Sequence, residues 1–211
     1  MVSTTLNESL DVLAEEAIQR LVTGNKRFVQ GEAHFPNVCK ETLADLAKEQ
    51  RPYATILGCS DSRVPPELIF DAKFGELFII RVAGNVISPE VKGSLQYAGA
   101  HLRTPLFLVL GHQGCGAVKA ALQYKVDSVE DRRHVQVLIA NILAGLSEDT
   151  QGVQSEAERL AAAVEANVRW SMHQIIETPE WSNAAKLGAK LVGAVYQITT
   201  GEVRFLLDKD K

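Results

Sequence analysis

The stretch that decides the fold covers residues 53–63 and reads YATILGCSDSR. Its first half is apolar and rich in residues that favour strands, and its second half is polar. Residues 105–116, which read PLFLVLGHQGCG, repeat this order of an apolar run followed by small and polar residues. Near-continuous apolar runs of this length are typical of strands that are buried on both faces of a parallel sheet.

Two more apolar runs, residues 77–82 and 191–196, are also of strand length. A short strand is expected at 203–207, after a Thr-Gly turn. Between the strands, helical spacing of apolar residues predicts helices at about 9–30, 40–50, 64–71, 90–102, 115–125, 131–146 and 155–177. The alternation predicts an α/β fold: a mostly parallel central β-sheet, about four parallel strands plus a C-terminal edge strand, flanked by helices.

Composition narrows the class of protein. The chain of 211 residues has a formal net charge of -4 and no cluster of Lys or Arg on a predicted helix, so we expect no nucleic-acid partner. No apolar run reaches the length that spans a membrane, and we expect no membrane association. Acidic residues near the start are unlike a secretory signal, which makes the cytoplasm the expected compartment.

The three cysteines, Cys39, Cys59 and Cys115, are too few and odd in number for a disulfide framework. Cys59 follows the first quoted strand, while His112 and Cys115 follow the second. Ligand sites in open parallel sheets lie beyond the carboxyl ends of the strands, so these three side chains meet if the two strands are neighbours. Two thiolates and an imidazole suit zinc, and three protein ligands leave a fourth position open, as in catalytic sites.

Asp61 and Arg63 are the charged residues nearest to this ligand set in the sequence. Zinc lowers the pKa of its bound water to about 7, and Asp61 is the natural acceptor to orient the resulting hydroxide. Arg63 can hold that carboxylate in a bidentate pair and keep it ionised. The alternative for an isolated Asp-x-Arg is a helix cap with a surface ion pair. The nearby glycines are spaced G-x-x-G-x-G, which matches neither a dinucleotide fingerprint nor a phosphate loop.

Together, Cys59-x-Asp61-x-Arg63 and His112-x-x-Cys115 resemble the signature of the β-class carbonic anhydrases. The resemblance covers residues 10–125 well and is vague over 126–185. Further segments that match the pattern of this family are Gly24-Asn25-x-Arg27-Phe28, Gln50-x-Pro52, Gly75-Glu76-x-Phe78, Arg81-x-Ala83-Gly84-Asn85 and Gln96-Tyr97-Ala98.

The resemblance implies a lyase, carbonate dehydratase, that hydrates carbon dioxide reversibly to bicarbonate and a proton by attack of zinc-bound hydroxide. One Zn²⁺ per chain would be held by Cys59, His112 and Cys115, and Asp61 and Arg63 would form the orienting dyad. The residues that match the family's substrate pocket are Gln50, Phe78, Tyr97 and, through its backbone N–H, Gly116.

The resemblance also implies a homodimer or homotetramer with its substrate pockets at the dimer interface. We expect one domain over residues 1–211, in which residues 1–35 form an N-terminal helical arm that lies across the partner chain. The amphipathic pattern of the first predicted helix fits that arm.

Some enzymes of this family switch to a closed form, in which Asp61 would leave Arg63 and become the fourth zinc ligand. Members regulated by bicarbonate often carry Trp where this chain has Ile56, although Arg81 and Tyr97 of the regulatory pocket are present. The sequence therefore favours an open site at neutral pH, with Asp61 paired to Arg63, and leaves bicarbonate regulation undecided.

Three other functions compete with this hypothesis. A hydrolase for carbonyl sulfide or carbon disulfide would use the same scaffold, because both substrates are linear and electrophilic like carbon dioxide. A non-catalytic zinc protein or redox sensor would bind metal without activity and would leave Asp61 and Arg63 without a task. A nucleotide-binding α/β module would need a phosphate loop, and the glycine spacing does not match one.

Overall fold

A computed structural model of the chain describes residues 9–34, 39–124, 133–146 and 155–206. Its centre is one five-stranded sheet, formed by β1 (Ala54–Gly58), β2 (Leu77–Arg81), β3 (Leu106–His112), β4 (Lys190–Tyr196) and β5 (Val203–Phe205). The strands lie in the order β2-β1-β3-β4-β5. The first four are parallel, and β5 is antiparallel to β4, which confirms the predicted sheet.

Eight α-helices flank this sheet in the described part of the chain. They are α1 (Leu10–Gln30), α2 (Lys40–Leu46), α3 (Pro66–Ile69), α4 (Pro89–Tyr97), α5 (Gly116–Tyr124), α6 (Arg133–Ala144), α7 (Glu156–Ile176) and α8 (Pro179–Lys186). A 3₁₀ turn at Ala83–Asn85 and a π-helical turn at Ala98–Leu102 complete the regular structure. No helix among these residues is long and apolar enough to cross a membrane.

Two helices differ from the sequence prediction. The prediction of a helix to residue 50 was wrong, because α2 ends at Leu46 and buries none of its residues against the core. Helix α8 was not predicted, although its start carries a clear signal. The Thr178 hydroxyl accepts a hydrogen bond from the Trp181 N–H at 3.2 Å, and Pro179 occupies the first turn.

The core surrounds β1 and β3, whose residues are all buried. Both strands lie inside the sheet, so they are paired on both edges and covered on both faces, as their continuous apolar sequences predicted. By contrast, β2 is an edge strand and its residues are only half-buried or exposed. The site described below therefore stands on the two most buried strands.

Helix α1 is fixed to its own chain by a buried amide. Asn25 Nδ2 donates to the carbonyl oxygens of Ile69 (3.2 Å) and Gly201 (2.8 Å), and Asn25 Oδ1 accepts from the Val203 N–H (2.9 Å). Residues 10–30 of the predicted arm thus pack on the domain that they belong to. The first eight residues and residue 35 of that arm lie outside the described residues.

Two glycines inside helices provide a test of this packing. Replacing Gly24 by Ala should lower the free energy of unfolding by about 1–3 kcal/mol, because a Cβ there would lie 1.9 Å from the carbonyl oxygen of Phe70. The control is Gly93 in α4, where a Cβ would meet no atom within 4 Å. Alanine at Gly93 should raise the free energy of unfolding by up to about 1 kcal/mol. Equal effects in denaturant unfolding would contradict this account of α1.

Candidate metal centre

Strands β1 and β3 bring the two polar segments together. The strands are hydrogen-bonded neighbours, and Gly58 lies opposite Leu110. The chain therefore leaves both strands at the same edge of the sheet, with Cys59 just after β1 and His112 as the last residue of β3. Cys115 follows after a short turn and directly precedes α5. The three predicted ligands could meet only if the two strands were neighbours, and they are.

In the described part of the chain, Cys59, His112 and Cys115 form a group that could hold a metal ion. Their ligand atoms all lie within 4.8 Å of one another. The three residues are 5%, 1% and 1% exposed, respectively. Two sulfurs and one imidazole nitrogen in a buried cluster are a ligand set suited to zinc.

The hydrogen bonds of His112 indicate which ring nitrogen faces the metal. Nδ1 lies 3.0 Å from the carbonyl oxygen of Gln113, so Nδ1 carries the proton and donates it. Nε2 is buried and has no hydrogen-bond partner among the described residues. Metal-binding histidines typically donate their other N–H to a carbonyl or carboxylate in this way. The residues present therefore fit zinc, with Nε2 as the nitrogen ligand.

Gln113 fixes the turn that carries His112. Its N–H donates to the carbonyl oxygen of Tyr196 at 2.8 Å, at the end of β4. Its side-chain Oε1 accepts from the N–H (3.2 Å) and the hydroxyl (3.1 Å) of Thr199. Gly114, at φ 67°, then turns the chain towards α5. The imidazole is thus held by bonds on both sides of the turn.

The two thiols share their protons unequally. A hydrogen bond from Cys115 lowers the pKa of the Cys59 thiol, burial opposes this shift, and the Gly84 N–H adds to it. The same bond between the sulfurs, together with burial, raises the pKa of Cys115 above its ordinary value. The pair thus loses one proton readily and keeps the second between two sulfurs. A bound cation would take the place of that second proton.

Asp61 is held by Arg63. Arg63 donates from Nε to Asp61 Oδ1 (2.9 Å), from a terminal nitrogen to Oδ2 (2.7 Å), and from its backbone N–H to Oδ1 (3.0 Å). These bonds hold the pKa of the Asp61 carboxyl well below its usual range. Asp61 Oδ2 also lies 3.9 Å from His112 Nε2, so the carboxylate adjoins the ligand cluster.

Arg81 has a structural task that the sequence did not reveal. It ends the edge strand β2 and donates to two backbone carbonyl oxygens, those of Cys59 (2.8 Å) and Asp61 (2.5 Å). The segment from the first thiol to the carboxylate is thereby tied to a neighbouring strand. No local sequence pattern predicts these bonds, because Arg81 and the residues whose carbonyl groups it binds are about twenty residues apart.

Of the residues predicted to bind substrate, Phe78 is set back from the edge of the sheet that carries the cluster. Phe78 is paired with Thr55 in the sheet. It lies three residues before the end of β2, which places it roughly 10 Å from the carboxyl end of that strand. Tyr97 packs against Phe78, with ring centroids 6.0 Å apart, and is 45% exposed, while Gln50 is also exposed. Gly116, by contrast, begins α5 directly after Cys115 and has open space beside its Cα.

Three other histidines and the third cysteine have partners apart from the cluster. His34 bonds to Asp71 at 2.9 Å, His101 packs against Tyr97, and His173 stacks on Trp170. The sulfur of Cys39 is exposed and lies 3.1 Å from the Thr42 hydroxyl.

Comparison with known proteins agrees with this site. A family model described as carbonic anhydrase matches residues 54–203. A carbonic anhydrase of Mycolicibacterium smegmatis is 36% identical over 192 residues, which cover 89% of this chain and 90% of that protein. Carbonic anhydrase 2 of Mycobacterium tuberculosis is 49% identical over 106 residues, 50% of this chain and 51% of that protein. The β-carbonic anhydrase CafA of Aspergillus fumigatus superposes with a TM-score of 0.74 at 26% identity, over 81% of this chain and 83% of that chain.

A mostly parallel α/β sheet with a Cys-His-Cys cluster at its carboxyl edge is typical of an open-sheet enzyme with a candidate metal site. The chain belongs to the β-class carbonic anhydrase family. The resemblance noted in the sequence and the predicted carbonic anhydrase activity are thereby confirmed at the level of the family.

Serine substitutions at two of the cysteines test the metal centre. Loss of a residue that only supports a metal ligand typically weakens metal binding by roughly 10–100-fold. Cys115→Ser removes a ligand itself, so it should weaken zinc binding by more than that. Cys39→Ser is the matched control, since Cys39 is exposed and apart from the cluster. Elemental analysis after gel filtration should find about one zinc per chain in the wild type and the control. Zinc retained by Cys115→Ser would refute the assignment.

Proposed function

We propose that the chain hydrates carbon dioxide reversibly to bicarbonate and a proton with one bound zinc. The observation that carries the proposal is the buried cluster of Cys59, His112 and Cys115 beside a carboxylate that Arg63 restrains. When bound, zinc lowers the pKa of a coordinated water, so that hydroxide is available near neutral pH. Cys59 Sγ, Cys115 Sγ and His112 Nε2 would hold the ion and leave one coordination position for exchange.

Asp61 would orient the hydroxide that attacks carbon dioxide. Its carboxylate stays ionised because Arg63 donates to both oxygens. An ionised carboxylate accepts hydrogen bonds only, so it would hold the hydroxide with its proton towards the carboxylate and a lone pair towards the substrate carbon. The pairing with Arg63 also favours the open form of the site at neutral pH. The closed form, with Asp61 as fourth ligand, would have to break these hydrogen bonds.

Backbone and side chains around the cluster would receive the substrate. The N–H of Gly116 lies at the start of α5, where unpaired N–H groups favour negative charge on an oxygen. We infer that it donates to the carbon dioxide or bicarbonate oxygen as charge develops. The exposed Gln50 and Tyr97, with the half-buried Phe78, would line the pocket.

Replacing Asp61 by Asn tests this role. The amide has nearly the same shape but presents an N–H where an acceptor is needed, and it cannot form the bidentate ion pair. The kcat for carbon dioxide hydration, measured by stopped flow near pH 7, should fall by about 100-fold or more. Zinc content should be unchanged, because Asp61 is not among the ligands of the open form.

Asp45→Asn is the matched control, since Asp45 is exposed and pairs with Lys48. It should leave the kcat unchanged. Equal rates for Asp61→Asn and the wild type would remove Asp61 from the mechanism. A zinc-loaded wild type that is inactive at every pH tested, including above 8, would contradict the proposed function as a whole.

We further propose that the protein works as a homodimer or a homotetramer, in which the partner chain completes each pocket. The support is that the half-buried Phe78, in the edge strand β2, packs against the exposed Tyr97 and is set back from the ligands of its own chain. A partly exposed aromatic pair at an edge strand is suited to an interface. The cytoplasmic location expected from the sequence stays a prediction.

Mixed assemblies test the shared pocket. Cys59→Ser lacks a metal ligand and Gln50→Ala lacks a pocket residue, so each variant alone should be nearly inactive. Refolded together, they should recover about a quarter of the wild-type activity, because half of the dimers of a random mixture hold one intact site. Mixing Gln50→Ala with the double variant of both changes is the control and should recover nothing. No recovery in the first mixture would place the pocket within one chain.

A further inference from the structure

Two buried side chains of α7 hold the 3₁₀ turn that adjoins Cys59. Asn167 Nδ2 donates to the carbonyl oxygen of Gly84 at 2.8 Å, and Ser171 Oγ donates to the carbonyl oxygen of Asn85 at 2.9 Å. Asn167 is 1% exposed and Ser171 is fully buried. They lie four residues apart, so they share one face of the helix. The mechanism proposed above uses neither of them.

The turn that they hold presents a donor to a sulfur. The Gly84 N–H donates to Cys59 Sγ, with nitrogen and sulfur 3.4 Å apart. Gly84 is in the left-handed region, at φ 69°, and a Cβ there would lie 2.8 Å from Ile142 Cδ1. The Gly84 N–H is therefore bonded to the Cys59 sulfur, and the Gly84 carbonyl oxygen is bonded to Asn167. The position of the N–H thus depends on the buried amide on α7.

The hydrogen bond to Cys59 matters because two thiolates give much charge to a bound metal. That charge opposes the Lewis acidity on which water activation depends. A thiolate that accepts an N–H bond has its lone pairs lowered in energy and gives less charge, and such outer partners tune a metal site. Loss of the bond would leave the ligand in place but change its electronic character.

We propose that Asn167, assisted by Ser171, is a positioning residue of the metal centre that keeps the Gly84 N–H on the Cys59 sulfur and so limits the charge this ligand gives to the metal. The inference rests on the proposed function only in taking Cys59 as a ligand. A purely structural amide would instead affect stability alone.

Cobalt(II) substitution tests the proposal without any turnover. The energy of the thiolate-to-cobalt charge-transfer band reports how tightly the sulfur holds its electrons. In Asn167→Leu the band should shift to lower energy than in the wild-type cobalt protein. The control is Asn141→Leu, because Asn141 Nδ2 donates to the carbonyl oxygen of Ile87 at 2.7 Å, three residues beyond Gly84. It removes the same kind of bond and should leave the band in place.

Ser171→Ala provides a second variant with little change of volume, and it should shift the band in the same direction by a smaller amount. Carbon dioxide hydration by the zinc form of Asn167→Leu should fall several-fold in kcat with KM unchanged.

An unshifted band in both the Asn167 and Ser171 variants, or an equal shift in the Asn141 control, would overturn the proposal. Absence of a thiolate band in the wild-type cobalt protein would overturn it together with the ligand assignment. A shifted band in a protein that does not hydrate carbon dioxide would support this inference and contradict the proposed function.

Discussion

The parallel pairing of β1 with β3 is the constraint on which the site depends. Because Gly58 lies opposite Leu110, the chain leaves both strands at one edge, and the ligand atoms of Cys59, His112 and Cys115 come within 4.8 Å. A slip of one residue would turn each side chain to the other face of the sheet and separate them. Both strands are entirely buried, so the core that stabilises the fold also fixes the ligands.

Around this fixed centre, each charged or polar group is restrained by a neighbour. Arg63 holds the Asp61 side chain, Arg81 holds the backbone on either side of it, and Gln113 holds the turn that follows His112. With a metal ion bound, two anionic sulfurs and a carboxylate would share this small volume, and the ion together with Arg63 would offset their repulsion. In the proposed mechanism, the carboxylate stays with Arg63 when zinc is bound and leaves the fourth position for exchange, unlike a closed structural zinc site.

Much of this was predictable because the decisive signals are local. The strands follow from continuous apolar runs, and the ligand set with its Asp61–Arg63 dyad follows from short spacings at strand ends.

The features that could not be predicted depend on contacts between residues that are distant in the sequence. Arg81 reaches carbonyl groups on another strand, and Asn167 meets Gly84 from a helix more than eighty residues away, within a region where the family pattern is vague. The grouping of Gln50, Phe78 and Tyr97 with the metal ligands stays a prediction. Helix α8 was not predicted, although a Thr-Pro pair marks its start in the sequence.

The most direct test of the account is a crystal structure of the zinc-loaded protein near pH 7, with anomalous scattering recorded at the zinc edge. The account predicts one zinc per chain, bound by Cys59 Sγ, Cys115 Sγ and His112 Nε2, with Asp61 still paired to Arg63 and a non-protein ligand in the fourth position. Zinc at another place in the chain, or Asp61 bound to the metal with Arg63 released at that pH, would contradict it.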